Sequence, residues 1–268
     1  MFEAFEYEFM RNALAAGILA SVACGVIGSF VVLNRIVFLS AGIAHAAYGG
    51  IGLGFFFGFN PVIGAVGFSL AAALGMGVAQ RRTGQRADTL IGVMWAIGMA
   101  LGVILVDRTA GYKTDLMSYL FGSILTVPSG DLVIMLVLDV VIIIGTGLLY
   151  KELLAISFDE NHAVVQRVPV TAIYLVFVCM IALTVVMLMR VVGLILLIAL
   201  LTMPAAISAL FVRDMRRMMV VAGLVGAAFT SAGLWLSYTF NIASGATIIL
   251  LTAAVFLVCL VVRRGLNA

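Results

Sequence analysis

The chain has 268 residues, of which 65% are hydrophobic and only 10% charged, and its mean hydropathy is +1.27. A water-soluble domain carries roughly a quarter of its residues as charges, so this composition excludes one and demands an outer surface that faces lipid. The net charge of +3 gives no reason to invoke nucleic acid.

Backbone N–H and C=O groups in lipid must be bonded within the protein, which leaves helices or closed barrels. Barrel strands alternate in polarity over about ten residues, whereas the apolar runs here are continuous and about twenty residues long, the length of a helical crossing. The expected fold is therefore all-α, a polytopic bundle of about nine spans. Ala13–Leu33 is the first and ends at Asn34-Arg35. It is too long for a signal-peptide core and has no clear cleavage site after it. Ile36–Gln80 has the length of two crossings, divided at Phe59-Asn60-Pro61 because proline lacks the helical N–H and restrains the residue before it. The next spans are Thr89–Val106, Leu132–Tyr150, Val170–Met189 and Val191–Val212. Met218–Val262 is again of double length, with a turn expected at Asn241–Gly245. Leu116–Gly130 is apolar but short, and reads as a re-entrant or interface helix. The whole chain, 1–268, reads as one membrane domain.

Basic residues set the orientation. Nine spans place eleven of them, Arg35, Arg81, Arg82, Arg86, Lys151, Arg167, Arg213, Arg216, Arg217, Arg263 and Arg264, on one side. Arg11, Arg108, Lys113 and Arg190 fall on the other. The expectation is a cytoplasmic C-terminus and an outside N-terminus, in keeping with the acidic start Glu3, Glu6 and Glu8.

Two ionisable residues fall at membrane depth, where such groups are expensive unless they face a wet cavity or a partner. His45 lies among small residues in Leu39–Gly50. Its imidazole suits a transition metal, or it is a core histidine bonded to a neighbouring carbonyl. Asp139, mid-span, is either a cation waypoint or a carboxyl bonded to a nearby serine or tyrosine, and the second reading is favoured because no polar residue within one turn supports the first. Cys24, Cys179 and Cys259 read as packing residues, and most of the fourteen methionines as gap fillers.

Between two spans, Lys151–Pro169 contains Ser157-Phe158-Asp159-Glu160-Asn161-His162-Ala163. Ser157 or Asp159 is positioned to cap a short helix with acids in its first turn. Such a helix suits partner docking; the alternative is a solvated loop. His162 is expected to be exposed and not a metal ligand.

Several of these segments resemble the permease subunits of bacterial ATP-binding-cassette importers for zinc, manganese and iron. Phe30–Arg35 with Phe38-Leu39 and Ala44-His45-Ala46 carries the first part of the likeness. Phe158-Asp159-Glu160 with Ala163 is similar to the family's cytoplasmic coupling segment, and Tyr119–Leu125 to its short helix before span five. Val192-Gly193-Leu194-Ile195-Leu196 through Pro204-Ala205-Ala206 is the most specific match, supported by Ser244-Gly245-Ala246-Thr247. The sequence departs from the pattern where the family has an aspartate four residues before the histidine, here Ala41, and where Ala243 stands for a frequent proline.

The resemblance implies a multi-pass protein of the bacterial inner membrane, with no enzyme activity and no tightly bound cofactor. It implies two facing permease copies, cytoplasmic ATP-binding subunits gripping Phe158–Val168, and an extracytoplasmic protein that delivers a divalent metal; the His45 imidazole makes zinc the foremost expectation, then manganese or iron. Two rivals are a permease of the same class for a chelated metal or vitamin, and a self-sufficient secondary cation transporter. The second needs an ionisable relay that one His and one Asp supply thinly. An intramembrane enzyme is more distant, since no nucleophile–base pair can be placed.

Overall fold

The computed structural model describes residues 7–83, 87–109 and 124–266. The helices are α1 Glu8–Leu33, α2 Val37–Phe57, α3 Pro61–Thr83, α4 Ala87–Arg108, α5 Ser129–Leu148, α6 Tyr150–Phe158, α7 Glu160–Val165, α8 Val170–Phe211, α9 Met215–Phe240 and α10 Ser244–Leu266, with a 3₁₀ turn at Ile124–Thr126. No strand occurs among the described residues. Among the described residues, nine helical stretches are long and apolar enough to cross a bilayer, and they coincide with the nine runs read from the sequence.

The predicted breaks have local physical causes. α2 ends on Gly58, which takes the left-handed conformation (φ 73°) that glycine adopts at a helix C-terminus. Asn60 then caps α3, its Oδ1 accepting from the Val62 N–H at 2.9 Å, and Pro61 occupies the first helical position, where its missing N–H costs nothing. α9 starts on an equivalent cap, Asp214 Oδ1 accepting from the Arg217 N–H at 2.9 Å. It ends on Asn241 in the left-handed region (φ 54°), inside the expected turn.

α8 holds the two spans expected at Val170–Met189 and Val191–Val212 in one run, observed as Val170–Met189 and Val192–Phe211. Its non-helical point is Gly193, at φ 76° and ψ 169°, a region essentially closed to residues with a Cβ. The re-entrant segment is described only from Ile124. There it is a 3₁₀ turn, and α5 begins at Ser129, with Asp131 in its first turn. The remainder of that segment, including Tyr119–Ser123, lies outside the described residues, as do Glu3, Glu6, Arg86 and Lys113.

The helices gather into two compact units. In the first, α1 packs on α9, α9 on α10, and both α1 and α10 meet the 3₁₀ turn. The backbones of α1 and α9 come close enough that a Cβ on Gly25 would lie 2.6 Å from the Gly223 N. In the second unit α2 is sandwiched by α3 and α4, which also touch each other, and α6 packs on α7. Between helices in lipid there is no hydrophobic drive, so small residues that permit close van der Waals contact are what hold such pairs together.

Candidate functional site

The candidate site lies in the second unit and is built on α2. Leu39–Ala44 and Ala46–Ile51 are buried, while His45 in their midst is half-buried. Its Nδ1 lies 2.8 Å from the backbone O of Ala41. A carbonyl only accepts, so Nδ1 must carry the proton and donate. The neutral imidazole then keeps its lone pair on Nε2, the arrangement found when the other ring nitrogen of a metal-ligating histidine donates to a carbonyl or carboxylate. Ala41 lacks a carboxylate, but its backbone oxygen fixes the tautomer.

A second contact was not read from the sequence. The indole of Trp95, on α4, lies against the His45 ring with centroids 3.7 Å apart and planes 20° from parallel. Nothing in a single chain of residues announces a pairing between helices fifty positions apart; the nearest signal is the run of glycines on α4, Gly98 and Gly102, that permits the approach. Among the described residues His45 belongs to no group of three or more His, Cys, Asp or Glu side chains that could hold a metal.

Asp139 stands elsewhere, in the part of α5 assigned to the first unit. It is 2% exposed, and neither carboxyl oxygen has a hydrogen-bond partner among the described residues. A serine or tyrosine donor is therefore not found for it among the described residues. With Met135, Ile142 and Thr146 it forms the buried stripe of an otherwise exposed helix.

The segment between α5 and α8 forms two short helices. Asp159, not Ser157, is the cap: its Oδ1 accepts from the His162 N–H at 3.0 Å, while the Ser157 hydroxyl donates to the Leu153 O at 2.7 Å within α6. His162 is exposed, 2.7 Å from the Gln166 side chain. Phe158 is 71% and Val165 80% exposed, whereas Ala163 is wholly buried. Ala163 therefore seats α7 against the protein, and the apolar side chains offered outward are Phe158, Val164 and Val165.

Glu160 is tied to the end of α3, where Arg81 donates to its Oε1 at 2.9 Å. The Arg81 guanidinium also sits 4.5 Å over the ring of Tyr174 on α8. The Tyr174 hydroxyl donates to the Gln80 Oε1 at 3.0 Å. Sequence reading had used Arg81 only as an orientation charge; that it joins three elements is not visible without the fold. Cys24, Cys179 and Cys259 are free thiols, the first buried and the others partly so.

A chain that places nearly all its mass in bilayer-length helices, and exposes a short apolar-faced helix between two of them, has the build of a multi-pass membrane permease. Its relatives make that class specific. The model of the ABC 3 transport family matches residues 6–263, and the chain belongs to that family. It is 58% identical to the uncharacterized membrane protein slr2045 of Synechocystis, across 98% of this chain and 94% of the relative. It is 34% identical to the manganese transport system membrane protein MntC of Listeria monocytogenes, across 94% of this chain and 90% of that one. Among solved structures, PsaBC from Streptococcus pneumoniae in complex with Fab matches at 33% identity with a TM-score of 0.84, covering 94% of this chain and 91% of that one.

Proposed function

We propose that this chain is the membrane permease of an ATP-binding-cassette importer, and that its cargo is a divalent transition metal met in the membrane by Nε2 of His45. The observation that carries the reading is the Nδ1–Ala41 hydrogen bond. It leaves a directed, unprotonated nitrogen in the interior of a span, where an undirected imidazole would be a liability. The Listeria relative named for manganese transport supports a metal cargo. Between candidate metals, an imidazole with no neighbouring carboxylate suits zinc, while manganese is the ion relatives are named for and prefers oxygen donors.

The rest of the assembly follows from the same reading. On this reading the termini lie on opposite sides and Phe158–Val168 faces the cytoplasm, an arrangement supported by the odd number of spans and the bias of the basic residues. There Phe158, at the end of α6, and Val164 and Val165, on the helix capped by Asp159 and seated by Ala163, offer an apolar surface to an ATP-binding subunit. A second permease copy would complete the path, and an extracytoplasmic binding protein would deliver the ion.

The test is uptake of radiolabelled manganese and zinc by proteoliposomes holding the whole importer. His45→Ala is expected to lower uptake of the cargo ion by more than the roughly 10- to 100-fold that loss of an outer-shell partner costs, with assembly intact. Acidification that protonates Nε2 should mimic it, since the imidazolium has no lone pair to give. Wild-type uptake of both ions by His45→Ala would sink the direct-ligand reading and move the cargo to a chelated or organic molecule.

A further inference from the structure

His45 is held by two constraints of different kind. The hydrogen bond to the Ala41 O fixes one direction within the imidazole plane, but a ring held at one atom still swings. The Trp95 indole, 3.7 Å away and tilted by only 20°, fixes the plane itself. Aromatic pairs commonly sit with centroids about 4.5–7 Å apart, offset or edge-on, so this is an unusually full face-to-face overlap.

The overlap is set up by the packing on either side of it. Ile91, Trp95, Gly98 and Gly102 recur at i, i+4, i+7 and i+11, one face of α4. A Cβ on Gly98 would lie 2.5 Å from the Ala46 Cα, and one on Gly102 2.5 Å from the Tyr48 O. On the facing helix, a Cβ on Gly42 would lie 2.5 Å from the Ile91 Cγ2. The two helices thus approach closely where a glycine on one of them leaves room for the other, and Trp95 is the large group admitted at the level of His45. The indole adds no charge and no oxygen. Metal coordination by Nε2 takes place in the ring plane, so a stacked indole leaves that nitrogen open.

We propose that Trp95 is a positioning residue for the cargo ion: its indole holds the His45 imidazole in the plane that presents Nε2 to a divalent transition metal, an orienting role for which Ala41 has no side chain. The proposal rests on the reading of His45 as the ligand.

The protein carries two tryptophans, Trp95 and Trp235, so Trp235→Phe leaves Trp95 as the sole indole. In that background, titration of the purified full chain, without its partner subunits, with manganese chloride is expected to quench the emission saturably, because the paramagnetic ion arrives beside the indole. Zinc chloride, which is diamagnetic, should reverse the quenching by competition, and His45→Ala should abolish its saturable part. In uptake, Trp95→Ala is expected to raise the apparent KM about 10- to 100-fold with the maximal rate largely kept, and Trp95→Phe, which restores a flat face, to recover KM. A wild-type KM in Trp95→Ala alongside lost uptake in His45→Ala would overturn the role of Trp95 while leaving the ligand. Saturable quenching that survives His45→Ala, or wild-type uptake by His45→Ala, would overturn both.

Discussion

His45 and Asp139 are both ionisable, and both lie in the middle of spans, yet their surroundings have little in common. His45 sits on a helix packed on two sides, hydrogen-bonded by a carbonyl and covered by an indole. Asp139 lies on a helix most of whose length is exposed, more deeply buried than the histidine but with neither oxygen satisfied. Burial therefore ranks the two in the opposite order from organisation. A group prepared to meet a ligand is oriented by its neighbours and keeps one atom free; a group merely enclosed has neither property. By that criterion the candidate site belongs to the α2–α4 pair.

The largest expected effect comes from forcing that pair apart. Gly98→Leu puts a branched side chain where even a methyl would meet the Ala46 backbone. Overpacking costs about 1–3 kcal/mol when side chains can yield; here backbone must move, so the loss should reach or exceed the top of that range. Thermal unfolding in detergent should show it, together with loss of uptake. Gly92→Leu is the control on the same helix, since a Cβ there has nothing within 4 Å. Equal damage from both substitutions would mean that α4 is intolerant of bulk in general and that the contact at Ala46 is not special.

The same contrast marks what could be read from residues alone. The spans, their breaks and the short helix after Phe158 were legible because each has a local cause: run length, Asn60-Pro61, Asn241, the Asp159 cap. Gly193 was legible as part of a motif, while its reason, a backbone conformation at φ 76° and ψ 169°, required coordinates. His45 was visible as an odd residue in an apolar run. Its tautomer and the Trp95 stack were not, because both depend on which face of α4 meets α2, and helices exposed to lipid carry no polar face to reveal their register. For Asp139 the sequence suggested a hydroxyl partner, and only the fold shows two oxygens without one.

A smaller effect, of opposite sign, is expected at Asp139. Replacing it by leucine of similar bulk removes an unsatisfied polar group from a span, where an acidic side chain is disfavoured by about 2.5–3.5 kcal/mol. Asp139→Leu should therefore raise the unfolding temperature in detergent and leave metal uptake unchanged. A variant that is more stable but fails to transport would show that the carboxyl serves the path, and the comparison with His45 would then separate two stations in place of a site and a buried residue.

The smallest effect concerns a polar tie outside the apolar stretches, Arg81 with Glu160 and Tyr174. The side chains are 21% and 52% exposed, so solvent screens the ion pair to about 0.2–1 kcal/mol. Stacking on Tyr174 adds about 0.5–1 kcal/mol. Glu160→Gln should hardly alter the unfolding temperature, and Arg81→Ala should lower it slightly more because it removes both contacts. Their effect on coupling is expected to be greater than on stability, because the tie links α7, which offers Val164 and Val165 outward, to the end of α3, a helix packed against the one that carries His45. Motion imposed on α7 by an ATP-binding subunit would reach α3 through Arg81. The measure is metal transported per ATP hydrolysed: Arg81→Ala should lower the ratio while hydrolysis continues, and the exchange Arg81→Glu with Glu160→Arg should restore part of it. An unchanged ratio in Arg81→Ala would show that α7 transmits its motion through the backbone into α8 alone.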